Sequence, residues 1–131
     1  MAIGFRDIEV FRADAQDLPD DLYRLYQCSV AADAGQILRV AKLKDCIIGC
    51  YAMRGPREKS TDFELQMVTV QTSFRKQMVG RWLVGHAIGV AESKGGRVLK
   101  VPFDERPAFF LALGFIADSP STGWRFEMIQ E

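Results

Sequence analysis

The chain has 131 residues, a length typical of one domain. Hydrophobic residues make up 48% and charged residues 26%, which excludes a disordered or collagen-like chain. Seventeen basic residues balance seventeen acidic ones, so neither nucleic acid nor a membrane surface is an expected partner. We therefore expect a single domain covering residues 1–131.

Targeting, membrane-spanning and metal-binding signals are absent from the sequence. The amino terminus becomes charged at Arg6 before any long apolar run forms, and no window approaches the roughly 18 apolar residues of a spanning helix. Cys28, Cys46 and Cys50 lack paired metal-ligand spacing, and His86 is the single histidine. The sequence thus predicts a cytoplasmic, metal-free protein with reduced thiols.

Strands and helices alternate along the predicted chain. The predicted strands cover residues 8–11, 36–43, 46–53, 63–70, 97–101 and 124–129. The first helix is expected to be capped by Asp17 with Pro19 in its first turn, and the others cover 79–94 and 107–113. Lys44 and Asp45 join the second and third strands as a hairpin. This order predicts an α/β (α+β) sandwich in which helices cover a central sheet.

The segment between the fourth strand and the second helix, VQTSFRKQMVGR (70–81), carries the most informative pattern. A helix amino terminus presents unpaired N–H groups and favours negative charge. No acidic residue occurs from 65 to 91, and Gly80 leaves room for an anion to approach the backbone. Three basic side chains lie here: Arg75, Lys76 and Arg81. The segment predicts a phosphate cradle, and the alternative is a solvated basic turn.

Residues 63–115 resemble the GNAT superfamily of N-acetyltransferases. The family's acetyl-CoA signature is Gln or Arg, two residues, Gly, one residue, then Gly or Ala, and it reads RKQMVG (75–80) here. Its later signature, FYxxLGF, reads FFLALGF (109–115). The resemblance implies the GNAT fold, a central, mostly antiparallel mixed sheet flanked by helices. It also implies an acetyl-CoA-dependent N-acyltransferase.

The resemblance further implies which residues bind acetyl-CoA. In the family, backbone amides of the loop hold the CoA pyrophosphate, and the corresponding residues are Arg75, Lys76, Gln77, Met78, Val79, Gly80 and Arg81. Met67, Val68 and Val70 would line the pantetheine arm, and an amide near Val70 would polarise the thioester carbonyl. Phe110 takes the position beside the CoA sulfur.

Glu64 is the expected catalytic base, since it lies six residues before Val70, where some family members carry a catalytic glutamate. Strand alternation predicts that Gln66 and Val68 share its face. A partly desolvated carboxylate is a stronger base than a hydrated one. The alternative is a glutamate on a solvated face.

Two positions depart from the family pattern. Met78 replaces the first glycine of the loop signature, where its Cβ could crowd the pyrophosphate. Phe110 replaces a tyrosine that protonates the CoA thiolate in many members, and phenylalanine has no proton to donate. Other candidate donors are a water molecule, Tyr26, Tyr51 and Ser73, unless the thiolate leaves unassisted.

Three functions remain open from the sequence. The first is acetyl transfer to an amine of a small molecule or peptide. The second is a non-catalytic acetyl-CoA sensor that acts on a partner protein. The third is a related scaffold that binds no CoA because Met78 blocks the loop. An apolar edge strand could also pair two copies into a homodimer.

Overall fold

The computed structural model describes residues 8–29, 36–56, 60–75, 78–102, 106–118 and 123–128. Its strands are β1 (Ile8–Arg12), β2 (Gln36–Leu43), β3 (Cys46–Arg54), β4 (Asp62–Val70), β5 (Val98–Val101), β6 (Ile116–Ala117) and β7 (Trp124–Glu127). Its α-helices are α1 (Asp20–Ser29), α2 (Val79–Ser93) and α3 (Pro107–Ala112), and short 3-10 turns cover Ala15–Asp17 and Thr72–Phe74.

The strands in the described part of the chain form a sheet in the order β1-β2-β3-β4-β5-β7-β6. Only β4 and β5 pair in parallel, and the other neighbours are antiparallel. The prediction of a mostly antiparallel mixed sheet flanked by helices is therefore confirmed.

Helices cover both faces of this sheet, because alternate residues of a strand point to opposite sides. On one face, Leu22 of α1 packs with Val40, Cys50 and other buried side chains of the central strands. On the other face, Leu83 of α2 and Phe110 of α3 belong to a second buried cluster. Burial of these apolar side chains is the main favourable term that fixes the helices on the sheet.

Two predicted boundaries were wrong in detail. Asp17 does not cap a long helix: its carboxylate accepts the backbone N–H of Asp14 at 3.0 Å within the first 3-10 turn. The helix α1 begins at Asp20, so Pro19 precedes it instead of lying in its first turn. The strand β6 has only two residues, which is too short for a periodic signal. The predicted end of the last strand, at residue 129, lies outside the described residues.

A bulge in β4 changes which side chains share a face. Ala52 pairs with Met67 and Met53 with Leu65, so Gln66 is an extra residue on β4. After the bulge, Met67 packs in the α1-side cluster and Val68 in the α2-side cluster. The prediction that Val68 shares a face with Glu64 was therefore wrong, because simple alternation does not hold across a bulge.

Candidate active site

The strands β4 and β5 separate after a short parallel contact. Their pairing covers only residues 62–64 of β4 and 98–100 of β5, so the rest of β4 has an open edge toward β5. A cavity of about 880 Å³ lies in this gap. Its wall draws on α1, the loop after β4, the start of α2 and the segment leading into α3. The cavity therefore connects the α1 side of the sheet with the amino terminus of α2.

Most of the predicted site residues lie in this cavity wall. They are Glu64, Met67, Val68, Val70, Arg75, Met78, Val79, Gly80 and Arg81. Lys76 and Gln77 fall outside the described residues. The structure thus brings the expected base and the expected phosphate loop to one cavity, while their chemical roles remain predictions.

Phe110 is placed differently from its prediction. Its side chain is fully buried and packs edge-to-face with Phe115, with ring centroids 5.3 Å apart. The neighbouring Phe109 lines the cavity instead. Successive residues of a helix point about 100° apart, so a helix that begins at Pro107 directs one phenylalanine to the cavity and the next to the core. Phe110 therefore contributes to the core and not to the described wall of the cavity.

The amino terminus of α2 presents backbone N–H groups that no carbonyl of the described residues accepts. The first backbone bond of the helix runs from the Trp82 N–H to the Met78 carbonyl at 3.1 Å, so the amides of residues 79–81 have no acceptor within the helix. Met78 precedes the helix with φ 65° and ψ 12°, a left-handed conformation that favours glycine. A glycine would adopt this conformation without strain, whereas Met78 adopts it at a cost.

Gly80 leaves space in the cavity at the amino terminus of α2, because it has no side chain. A Cβ atom built on it would lie 3.5 Å from the Phe109 ring and 3.9 Å from Val70 Cγ2. A methyl group would fit at ordinary contact distance, whereas a longer side chain would have to extend into the cavity. Arg75 and Arg81 are exposed beside the free amides, so the helix terminus and both cations favour an anion.

Two arginine side chains cover the open edge of β4. Arg75 Nε donates to the Val70 carbonyl at 3.0 Å, and Arg106 Nη2 donates to the Val68 carbonyl at 3.2 Å. The sequence interpretation missed Arg106. A usable signal was its position, directly before the proline that starts α3.

The α1 side of the cavity contains Glu64, the single carboxylate among the described lining residues. Beside it, Gln66 accepts a hydrogen bond from Gln36 Nε2 at 3.1 Å, and Tyr26 donates to Gln36 Oε1. Desolvation, followed by the influence of Tyr23, raises the pKa of the Tyr26 hydroxyl. These bonds fix the Gln66 side chain next to the carboxylate of Glu64.

The alternative proton donors from the sequence do not line the cavity. Tyr51 is fully buried, and its hydroxyl bonds His86 Nδ1 at 2.8 Å on the α2 side of the sheet. Burial raises the pKa of Tyr51, while desolvation and then the nearby Arg39 lower the pKa of His86. Ser73 is exposed in its 3-10 turn, and Tyr26, which donates to Gln36, is not among the described lining residues. Among the described lining residues, Thr69 carries the one hydroxyl group, and no tyrosine, histidine, cysteine, lysine or serine occurs.

The described ranges contain neither a metal-ligand cluster nor a membrane-spanning helix. Within them, no group of three His, Cys, Asp or Glu side chains could hold a metal ion. No helix in the same ranges has the length and apolar character needed to cross a bilayer.

Solved structures with the same fold come from several bacteria. A GNAT-family acetyltransferase from Desulfovibrio desulfuricans is 17% identical to this chain, with a TM-score of 0.69. The match covers 92% of this chain and 98% of the Desulfovibrio chain. A GNAT-family acetyltransferase from Elizabethkingia anophelis, with acetyl-CoA bound, is 19% identical with a TM-score of 0.65, covering 93% and 99%. N-acetylglutamate synthase from Neisseria gonorrhoeae, complexed with coenzyme A and N-acetyl-glutamate, is 14% identical with a TM-score of 0.77, covering 94% of this chain and 35% of its own.

These structural likenesses show the fold, and the family follows from the sequence. No curated protein matches the chain significantly. Residues 4–115 match the family model described as Acetyltransferase (GNAT) family, which spans most of the chain. The protein therefore belongs to the GNAT family of acetyltransferases.

Proposed function

We propose that the protein transfers the acetyl group of acetyl-CoA to an amine of a small molecule or peptide. One observation carries the proposal: a single cavity joins the free amides of α2 to the Glu64 carboxylate through the gap between β4 and β5. An anionic cofactor and an amine could thus reach the same cavity from opposite sides of the sheet. The acetyl-CoA in the Elizabethkingia structure supports this choice of acyl donor.

The described wall fits the parts of a CoA molecule in order. The amides of residues 79–81, with Arg75 and Arg81, suit the pyrophosphate. Lys76 and Gln77 complete the loop in the sequence. The open edge of β4 presents the backbone groups of Val68 and Val70 to the pantetheine arm, as an added strand would use them.

The chemistry needs a neutral amine and a stabilised oxyanion. Glu64 takes a proton from the ammonium group, and the free nitrogen then attacks the thioester carbonyl carbon. A C–N bond forms, the C–S bond breaks, and an amide near Val70 donates to the oxyanion. As the C–S bond breaks, the attacking nitrogen releases its second proton to water, and water returns a proton to the departing CoA thiolate. The described lining residues include no tyrosine or histidine that could protonate the thiolate instead. Proton removal by a positioned base is worth about 10²- to 10⁴-fold in rate.

Replacement of Glu64 by glutamine tests this role. We expect kcat for amine acetylation to fall by about 10²- to 10⁴-fold while acetyl-CoA affinity stays unchanged, since the carboxylate contacts the amine side of the cavity. Glu92→Gln, on the exposed end of α2, is the matched control. Thiol release over a panel of amines measures the rate. An unchanged kcat in Glu64→Gln would contradict the role as base.

A non-catalytic acetyl-CoA sensor is the second candidate function. The observation in its favour is that the described lining residues offer no tyrosine, cysteine, histidine or lysine to protonate the thiolate, and their one hydroxyl, that of Thr69, is a much weaker acid than any of these. The two candidates share the cofactor and differ in turnover. Tight binding of acetyl-CoA without thiol release for any amine would favour the sensor, and transfer to one amine would favour the enzyme.

A further inference from the structure

The two arginines on the open edge of β4 occupy acceptors that a ligand would need. The carbonyls of residues two apart on a strand point to the same edge, about 6.6 Å apart. Arg106 holds the Val68 carbonyl and Arg75 holds the Val70 carbonyl, both at the edge where β5 has diverged. Under the proposed function, the pantetheine arm binds along this edge. Its amide N–H groups then donate to carbonyl acceptors that are spaced like those of a strand.

The Arg106 side chain is held in the gap by further contacts. Its guanidinium carbon lies 5.3 Å from the centre of the Phe109 ring and 6.0 Å from that of Phe110. The residue itself has φ 55° and ψ 56°, a left-handed conformation that is costly for a residue other than glycine. The backbone strain, the ring contacts and the hydrogen bond together place a cation within the cavity wall.

We propose that Arg106 is a displaceable cover of the pantetheine-binding edge, and that it sets the affinity for the acyl donor. This inference rests on the proposed function. The guanidinium and a pantetheine amide compete for the same carbonyl of Val68, so binding of the donor exchanges one hydrogen bond for another. The contacts of Arg106 stabilise the free protein and must be broken when the donor binds. The affinity for the donor is therefore lower than it would be without them.

Arg75 provides an internal contrast. Once displaced from the Val70 carbonyl, its guanidinium lies beside the free amides of α2, where an anionic pyrophosphate would receive it. Removal of Arg75 therefore weakens binding of CoA. Arg106 lies in the segment before α3, where its contacts with the Val68 carbonyl and the Phe109 ring hold it over the edge that the donor needs. Removal of Arg106 therefore tightens binding.

Calorimetric titration of CoA into the full-length protein tests this assignment. Arg106→Met keeps an apolar chain over Phe109 but lacks the donor, and Arg106→Gly suits the left-handed backbone if the methionine variant folds poorly. Arg97→Met, exposed and outside the cavity wall, controls for the loss of one positive charge. We expect Kd to fall by about 3- to 10-fold in both Arg106 variants and to stay unchanged or rise slightly in the control.

The same titration with S-acetyl-pantetheine, which carries no phosphate, should show the same gain because the competition involves only the amides. If the wild type binds CoA and the Arg106 variants show an unchanged or higher Kd, the role of Arg106 as a cover is wrong. The proposed function would then stay intact. Failure of the wild type and of every variant to bind CoA would overturn both.

Discussion

Met78 provides a sharp test of the loop geometry at the start of α2. Its φ of 65° is left-handed, and its side chain is about half exposed, with 49% of its surface accessible. We predict that Met78→Gly is more stable than Met78→Ala. Both variants lose the methionine side chain, so the loss of its contacts cancels in the comparison, and the difference reports the backbone conformation.

The size of this difference follows from two opposing terms. A left-handed conformation costs a residue with a Cβ about 1–2 kcal/mol, and glycine avoids this cost. Glycine also loses more chain entropy on folding, by about 0.4–1 kcal/mol. The glycine variant should therefore exceed the alanine variant by about 1 kcal/mol, or about 3–5 °C in Tm for a chain of this length.

Urea and thermal unfolding of the two variants measure the difference. The reasoning would be refuted if Met78→Ala were as stable as Met78→Gly. Residue 78 would then not be left-handed, and the free amides of α2 would point elsewhere than the cavity wall. The result thus bears on the phosphate site as well as on stability.

Two further predictions concern stability. The pKa of His86 is lowered in the folded protein, chiefly by desolvation, so His86 binds a proton at higher pH in the unfolded chain than in the folded one. The free energy of unfolding should therefore be highest above about pH 6.5, and it should fall as the pH decreases below that value. Urea unfolding at neutral and acidic pH should show a smaller fall in His86→Gln, and an equal fall would contradict the assignment. Gly49→Ala should lose about 1–3 kcal/mol, because the new Cβ would lie 2.9 Å from the Thr69 carbonyl oxygen. Gly85→Ala, with open space around its Cβ, is the control and should gain about 0.5–1 kcal/mol; a stable Gly49→Ala would refute the close packing.

Periodic patterns in the sequence predicted the central elements well. The hairpin of β2 and β3 turns at Lys44 and Asp45 as expected, and α2 begins at Val79 as predicted. These elements are long and have strongly apolar faces, so local pattern and tertiary packing agree. The bulge at Gln66 escaped prediction because it depends on how β4 registers against β3, which no local pattern encodes.

The candidate site was predictable where backbone groups and motifs define it. Among the described residues, Arg75 and residues 78–81 line the cavity together with Glu64 and residues 66–70 of β4. Side chains that reach the cavity from other segments of the chain were not predictable, because no local motif defines their contacts. Phe109 replaces Phe110 in the wall through the rotation of α3, and Arg106 enters through contacts with a distant strand.

The central claim is that acetyl-CoA binds with its pyrophosphate at the start of α2. Titration calorimetry of acetyl-CoA with the wild type, Gly80→Ala and Gly80→Leu tests it most directly. The alanine Cβ has room at 3.5 Å from the Phe109 ring, whereas the leucine side chain must enter the cavity. We predict micromolar binding by the wild type and Gly80→Ala, and binding at least about 10-fold weaker by Gly80→Leu. Equal affinity in all three proteins, or no binding by the wild type at millimolar ligand, would contradict the account.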